Sequence, residues 1–84
     1  MDTIVVNGTT INLVADSVVT INDWIIQVSP SDHKFFQSLN GDHAFVLNTE
    51  ESSDTITGYV LKSELHKFNR GIPQVQVQIR RQGW

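Results

Sequence analysis

Apolar and polar residues alternate strictly near the end of the chain. Val75, Val77 and Ile79 are separated by single glutamines, and Pro73 precedes the run. A period of two predicts a β-strand with one buried face and one solvated face, as in an antiparallel sheet. We therefore expect residues 74–79 to form a strand whose valines and isoleucine enter the core.

The first third of the chain is rich in β-branched residues, which favour strands over helices. Residues 4–6 and 9–14 flank Asn7 and Gly8, the strongest two-residue signal for a type I′ hairpin turn. Two further apolar runs follow, at residues 18–21 and 24–28. The pattern predicts a hairpin followed by one or two additional strands.

A helix is predicted over residues 30–40. Ser29 can cap its start, and Pro30 suits the first helical position. Phe35, Phe36 and Leu39 lie on one side at helical spacing, and Gly41 suits the end of the helix. A helix of this length is too short to persist alone, so its phenylalanines must pack on the sheet.

The rest of the chain predicts two more strands and a second helix. Residues 43–47 and 55–61 read as strands around an exposed loop at 48–54, with Gly58 at a bulge. Leu61, Leu65 and Phe68 are spaced i, i+4, i+7, which predicts a short helix over residues 62–69. Together these patterns predict one β-rich α+β domain spanning residues 1–84. It has five to seven short strands, arranged as a small antiparallel sheet or partly open barrel, and one or two short helices.

Residues 57–65, Thr-Gly-Tyr-Val-Leu-Lys-Ser-Glu-Leu, resemble the closing strand and terminal turn of bacterial SH3-like domains. The shared features are the glycine, the aromatic residue, the valine and the later leucine. The resemblance implies a small barrel-like sheet. It implies no binding residues.

Composition limits the classes of function. Of the 84 residues, 39% are hydrophobic and 18% charged, and none is cysteine. The missing cysteines exclude disulfides, thiolate metal sites and cysteine nucleophiles. No apolar run reaches the roughly 18 residues of a membrane span, and the first residues carry no basic segment typical of a signal peptide. We therefore expect a cytoplasmic or virion protein, such as a viral or phage accessory protein, without a membrane partner.

The net charge of −3 hides a division along the chain. Residues 1–61 carry a formal charge of −7, whereas residues 62–84 carry +4. Such asymmetry either marks a partner surface or is neutralised when the fold brings the two ends together. The first alternative permits acidic and basic surfaces of different molecules to associate.

Candidate catalytic groups are few. His33 and His43 each follow an aspartate, but their spacing does not predict that they converge on a metal. Ser63 and His66 lie one turn apart on the predicted second helix, without a segment to supply an oxyanion hole. The sequence therefore predicts neither an enzyme nor a cofactor or metal site.

The solvated side of the last predicted strand is the leading candidate for an interaction surface. It is polar and free of the charges that usually protect an edge strand, so we expect it to bind a protein partner or a second copy, by sheet extension or self-association. Trp84 either closes the core or anchors this interface. The interaction residues predicted are Gln74, Gln76, Gln78, Arg80, Arg81 and Trp84.

Single-stranded nucleic acid is the alternative partner. The basic end of the chain has aromatic residues interleaved, including Tyr59 and Phe68, which could stack on bases. The overall acidic charge opposes this hypothesis. The basic residues predicted to contact phosphates are Lys62, Lys67, Arg70, Arg80 and Arg81.

Overall fold

The computed structural model describes residues 2–67 and 73–83, with only the backbone for residue 67. Within these ranges the chain forms seven strands, one one-turn 3₁₀ helix and one short α-helix. The strands are β1 (Thr3–Val6), β2 (Thr9–Asn12), β3 (Val18–Val19), β4 (Asp23–Val28), β5 (His43–Asn48), β6 (Ser53–Lys67) and β7 (Pro73–Arg81). The 3₁₀ helix covers Pro30–Asp32, and α1 covers His33–Gln37.

The strands form a single sheet in the order β2-β1-β5-β6-β7-β4-β3. Every pairing in it is antiparallel. Beyond β2, Leu13 bridges Val28 at the end of β4, so the open sheet curls towards itself at this corner. The β-rich, antiparallel architecture predicted from the sequence is confirmed.

Strand β7 lies in the interior of the sheet, between β6 and β4. Its register pairs Val77 with Ser63 on one side and with Ile26 on the other. The backbone groups of β7 are therefore used by its two neighbours, and the expectation that this strand extends the sheet onto a partner was wrong. Strands β2 and β3 form the edges instead.

The hairpin turn at Asn7 and Gly8 is confirmed. Both residues have positive φ, 52° and 76°, and Val6 pairs with Thr9 across the turn. Positive φ at both central positions is the requirement of a type I′ turn, which Asn and Gly meet at low cost.

The predicted helix forms in two pieces. The Ser29 hydroxyl accepts a hydrogen bond from the Ser31 N–H, and Pro30 occupies the first position of the 3₁₀ helix. α1 follows directly and ends before Gly41, whose φ is 73°. The Phe36 side chain is fully buried, and this residue joins the helix to the sheet.

The second helix, predicted over residues 62–69, does not form in the part that the structure describes, residues 62–67. Residues 62–67 continue β6, pairing with β7 from Lys62–Gln78 to Lys67–Pro73. Leu61 and Leu65 are 40% and 54% exposed, so their helical spacing does not mark a buried face. Pairing with β7 satisfies the backbone groups of β6 that face that strand, whereas an isolated turn of helix leaves the groups at its ends unsatisfied. Phe68 lies outside the described residues.

Gly58 is not at a bulge. The irregularity in the β6–β7 ladder falls between Val60 and Lys62. Gly58 instead lies directly against β7, because a Cβ atom there would clash with the Arg80 carbonyl. The glycine permits this contact, as glycines in strands commonly do.

The core lies on one side of the sheet, and its cluster of buried residues includes Phe36 of α1. The alternation predicted for the last strand is confirmed, since Val75, Val77 and Ile79 are all fully buried. Partly buried Phe35, Leu39 and Val60 pack at the margin. In the described part of the chain, no helix is long and apolar enough to cross a membrane.

Candidate functional site

The side of the sheet away from the core carries a mainly polar surface across β6, β7 and β4. Antiparallel partners share a face, so Asp23–Arg80, Ile25–Gln78 and Gln27–Gln76 lie side by side on it. The partners of β7 in β6 extend the surface in the other direction. We call it the amide face, and it comprises Asp23, Ile25, Gln27, Tyr59, Lys62, Glu64, His66, Gln74, Gln76, Gln78 and Arg80.

Asp23 is the most buried polar residue of the amide face, with 9% of its surface exposed. Arg80 donates to it twice, from Nε to Oδ1 at 2.9 Å and from Nη2 to Oδ2 at 3.1 Å. Gln78 Nε2 donates to the same Oδ2 at 2.6 Å. Three N–H donors therefore satisfy one buried carboxylate, and the two from Arg80 have the bidentate geometry that suits arginine.

These contacts change the acid–base properties of the pair. The hydrogen bonds from Arg80 hold the pKa of Asp23 below its ordinary value, against the opposing effect of burial. In return the Asp23 carboxylate raises the pKa of Arg80, with a smaller contribution from Tyr59. Both groups remain charged and neutralise each other.

A tight turn places Asp23 at the start of β4. The Thr20 N–H donates to the Asp23 carbonyl at 2.8 Å, and the Asp23 N–H donates to Thr20 Oγ1 at 3.0 Å. The next turn residue, Asn22, accepts a hydrogen bond from the Arg81 N–H at 2.8 Å. The end of β7 is thereby attached to the same turn, which fixes Arg80 opposite Asp23.

Gln27 and Gln76 form a second contact on the amide face. Gln27 Nε2 donates to Gln76 Oε1 at 3.3 Å. The other end of this amide, Gln27 Oε1, is buried and has no hydrogen-bond partner among the described residues. A buried acceptor without a donor is uncommon and costs stability.

The structure places four of the six predicted interaction residues on the amide face: Gln74, Gln76, Gln78 and Arg80. Arg81 follows on the opposite side of β7, where it is exposed and pairs with Gly58. Trp84 lies outside the described residues, so its place in core or interface stays a prediction.

The predicted phosphate-binding residues do not form a free cationic groove in the described part of the chain. Arg80 is paired with Asp23. Lys62 Nζ lies 3.2 Å from Glu64 Oε1, and the Lys62 and Glu64 side chains are each about half exposed. Lys67 is in β6, where its backbone pairs with Pro73. Arg70 falls outside the described residues.

The histidines have separate partners. His33 Nδ1 and Ser63 Oγ are hydrogen-bonded at 2.8 Å, which joins the start of α1 to β6. His43 Nε2 donates to the Asn40 carbonyl at 2.9 Å. No group of three His, Asp or Glu side chains suited to a metal ion occurs among residues 2–67 and 73–83.

The described residues line several surface clefts, of which two matter here. One of about 630 Å³ is lined by the acidic residues Asp2, Asp16, Glu50 and Glu51 beside Leu13 and Val14. The other, of about 360 Å³, lies between α1 and the bulge of β6, next to Ser63. The carboxylates of the first cleft come from three separate segments, a proximity that their sequence positions do not predict.

The edge strand β3 carries exposed apolar side chains for which the sequence predicted no role. Val18 and Val19 are 55% and 57% exposed, and Ile21 in the following turn is 72% exposed. A signal was present, because residues 17–22 contain no charge and no proline, the usual protections of an edge.

No protein-family model matches the chain, and no curated protein matches it.

Proposed function

We propose that this protein is a non-enzymatic interaction module that binds a protein partner, a larger assembly or a second copy, through the amide face. The observation that supports this proposal is that the charged side chains in the middle of the amide face are paired with each other. Its buried acid and its central arginine, Asp23 and Arg80, satisfy each other, and the neighbouring positions of β7 are neutral amides.

A face of this kind suits protein docking for a physical reason. Removing an unpaired charge from water is costly, whereas amides exchange hydrogen bonds with water for hydrogen bonds with a partner at little cost. Three glutamines of β7, all half-buried, stand in a straight row on a rigid interior strand. Such a row offers repeated donors and acceptors without the entropy loss of ordering a loop.

The test compares matched charge variants. Partners are captured with the immobilised protein, identified, purified and titrated against wild type, the double variant Gln74→Lys/Gln76→Lys and the control Gln37→Lys/Gln82→Lys. The control residues are exposed and lie outside the amide face. We expect the face variant to lose about tenfold or more in affinity, equivalent to about 1.4 kcal/mol, and the control to bind like wild type.

Hydrogen exchange of the complex gives the second measurement. Protection from the partner should appear in β4, β6 and β7. Equal binding by both double variants, with protection elsewhere, would overturn the assignment of the amide face.

The alternative of single-stranded nucleic-acid binding has less support. Two of its five proposed basic residues, Lys62 and Arg80, already contact carboxylates. A titration with a single-stranded oligonucleotide at low salt decides between the two functions. Binding that weakens steeply with salt and falls in Arg81→Gln would favour the alternative.

A further inference from the structure

We propose that Ser63 is a covalent modification site, where its hydroxyl, with His33 as the base, takes the acyl group of an activated ester of a short apolar acid. The inference goes beyond the amide face, because Ser63 lies on the core side of the sheet, opposite the buried Val77. It requires one acyl transfer and no turnover, so it is compatible with a non-enzymatic interaction module.

The bulge in β6 turns Ser63 towards the core side of the sheet. The register between β6 and β7 shifts by one residue between Val60 and Lys62. Val60 packs against the core, and plain alternation from Val60 would send Ser63 to the amide face. The extra residue instead places Ser63 opposite Val77, whose side chain is fully buried. Bulges beside functional sites re-aim side chains in this way.

The base comes from α1. His33 is the first residue of this helix, and its Nδ1 lies 2.8 Å from Ser63 Oγ. Both side chains are half-buried. With the ring proton on Nε2, Nδ1 accepts the hydroxyl hydrogen, which is the arrangement of a nucleophile and its base. His66, the histidine nearest to Ser63 in the sequence, lies on the amide face instead.

The cleft beside Ser63 suits a short acyl chain. Its volume of about 360 Å³ is at the small end of the range for ligand pockets. Leu39 and Val60 line it, so the methylene groups of an acyl chain are removed from water there. Gln37 and Asn40 line the same cleft and carry amide N–H groups, which are donors of the type that stabilises an oxyanion.

The reaction balances without a further reagent. Ser63 Oγ forms a bond to the carbonyl carbon of the ester while its proton passes to His33 Nδ1. The tetrahedral intermediate then collapses, the bond between this carbon and the leaving oxygen breaks, and the leaving alcohol takes the proton from His33. Ser63 keeps the acyl group as an ester, and nothing is oxidised or reduced.

Labelling with p-nitrophenyl butyrate tests the proposal. Wild type should gain one butyryl group by intact mass, and peptide mapping should place it on Ser63. Ser38 is the comparison within the same chain, because its hydroxyl is exposed and donates to the Phe35 carbonyl, which is not a base. Ser63→Ala should lose the label, and Ser38→Ala should react like wild type.

The variant His33→Asn separates the role of a base from that of a structural contact. Asparagine keeps an amide oxygen that accepts a hydrogen bond from Ser63, but this oxygen does not take the proton. The rate of Ser63 acylation should fall by about 100-fold or more, the usual contribution of a general base. The urea midpoint of His33→Asn should stay close to that of wild type, which shows that the fold persists. His43→Asn, the same change at a histidine that does not contact Ser63, should label at the wild-type rate.

Labelling of wild type in urea supplies a test that does not depend on how variants fold. His33 and Ser63 are 30 residues apart in the sequence, so unfolding separates the base from the nucleophile. In the unfolded chain Ser63 should therefore react no faster than Ser38.

Three results would overturn the proposal. They are equal labelling of Ser63 and Ser38 in the folded protein, an unchanged rate in His33→Asn, and a label found on lysines without any on Ser63. The variant Gln74→Lys/Gln76→Lys should label Ser63 at the wild-type rate, so failure of the amide face and failure of the Ser63 site are distinguishable.

Discussion

Arg80 and Asp23 lie opposite each other on neighbouring strands and are joined by two hydrogen bonds of 2.9 and 3.1 Å. They are 57 residues apart in the sequence. The pair connects the start of β4 to the end of β7. The opposite charges of Asp23 and Arg80 cancel each other on the amide face. The ion pair therefore makes the stability of the fold sensitive to the protonation of Asp23.

The contribution of Asp23 to stability should depend on pH. Its pKa is lowered in the folded protein, mainly by the hydrogen bonds from Arg80. A carboxyl with a depressed pKa stabilises the fold fully above its unfolded pKa of about 3.9 and loses that effect as pH falls through the folded pKa. Urea unfolding should show Asp23→Asn less stable than wild type at pH 7, with the difference shrinking below about pH 4.

The exposed acid Asp42 provides the control for this measurement. Asp42→Asn should match the stability of wild type at pH 7 within about 0.5 kcal/mol. A constant difference between Asp23→Asn and wild type from pH 7 to about pH 2 would contradict the electrostatic role of the pair.

Gly58→Ala should destabilise the sheet. The added Cβ would meet the backbone carbonyl of Arg80, which cannot move without separating β6 from β7. We expect a loss of about 2 kcal/mol or more in the free energy of unfolding. Gly41→Ala is the matched control, since its Cβ meets open space and its cost, about 1 kcal/mol, comes only from the positive φ. Equal losses in the two variants would show that the close approach at Gly58 is unimportant.

Phe36→Ala should remove the attachment of α1 to the sheet. Phe36 is fully buried in the core, and its ring meets that of Phe35 edge to face at 5.3 Å. Truncating a buried phenylalanine costs about 3–5 kcal/mol, a large part of the stability of a domain this small. Chemical denaturation checks the value, and Phe35→Ala, at a half-buried position, should lose clearly less.

Gln27→Met should leave the protein as stable as wild type or stabilise it by up to about 1 kcal/mol. The substitution removes a buried acceptor, Gln27 Oε1, that has no partner among the described residues. Gln76→Met removes the partner of the Gln27 amide instead and should be the less stable of the two. Thermal unfolding compares them, and a large loss in Gln27→Met would mean that the amide is satisfied in solution.

Short-range chemistry made part of the fold predictable. The turn at Asn7 and Gly8 follows from their tolerance of positive φ, and the helix start follows from the capping of Ser29 and the fixed φ of Pro30. The buried face of β7 follows from strict alternation. Each of these features depends on residues within a few positions of one another.

The helix predicted over residues 62–69 is wrong for residues 62–67, which belong to β6. Leu61 and Leu65 have helical spacing, but β7 is present beside them and supplies the cross-strand bonds of a long hairpin. The spacing of residues within one segment does not show which strand from a later part of the chain will pair with it. The same applies to His33, which contacts Ser63 rather than a residue near it in sequence.

The sequence by itself determined the class of structure, the main turn, the site of the helix and the inward face of β7, because these depend on backbone preferences and on the period of apolar residues. Only the tertiary structure decided that β7 is interior, that Arg80 meets Asp23, and that β3 is left as an exposed edge. Strand order is set by which distant segments bury the most apolar surface together while pairing their backbones. The strand order therefore depends on contacts throughout the chain, and no short segment of the sequence is enough to predict it.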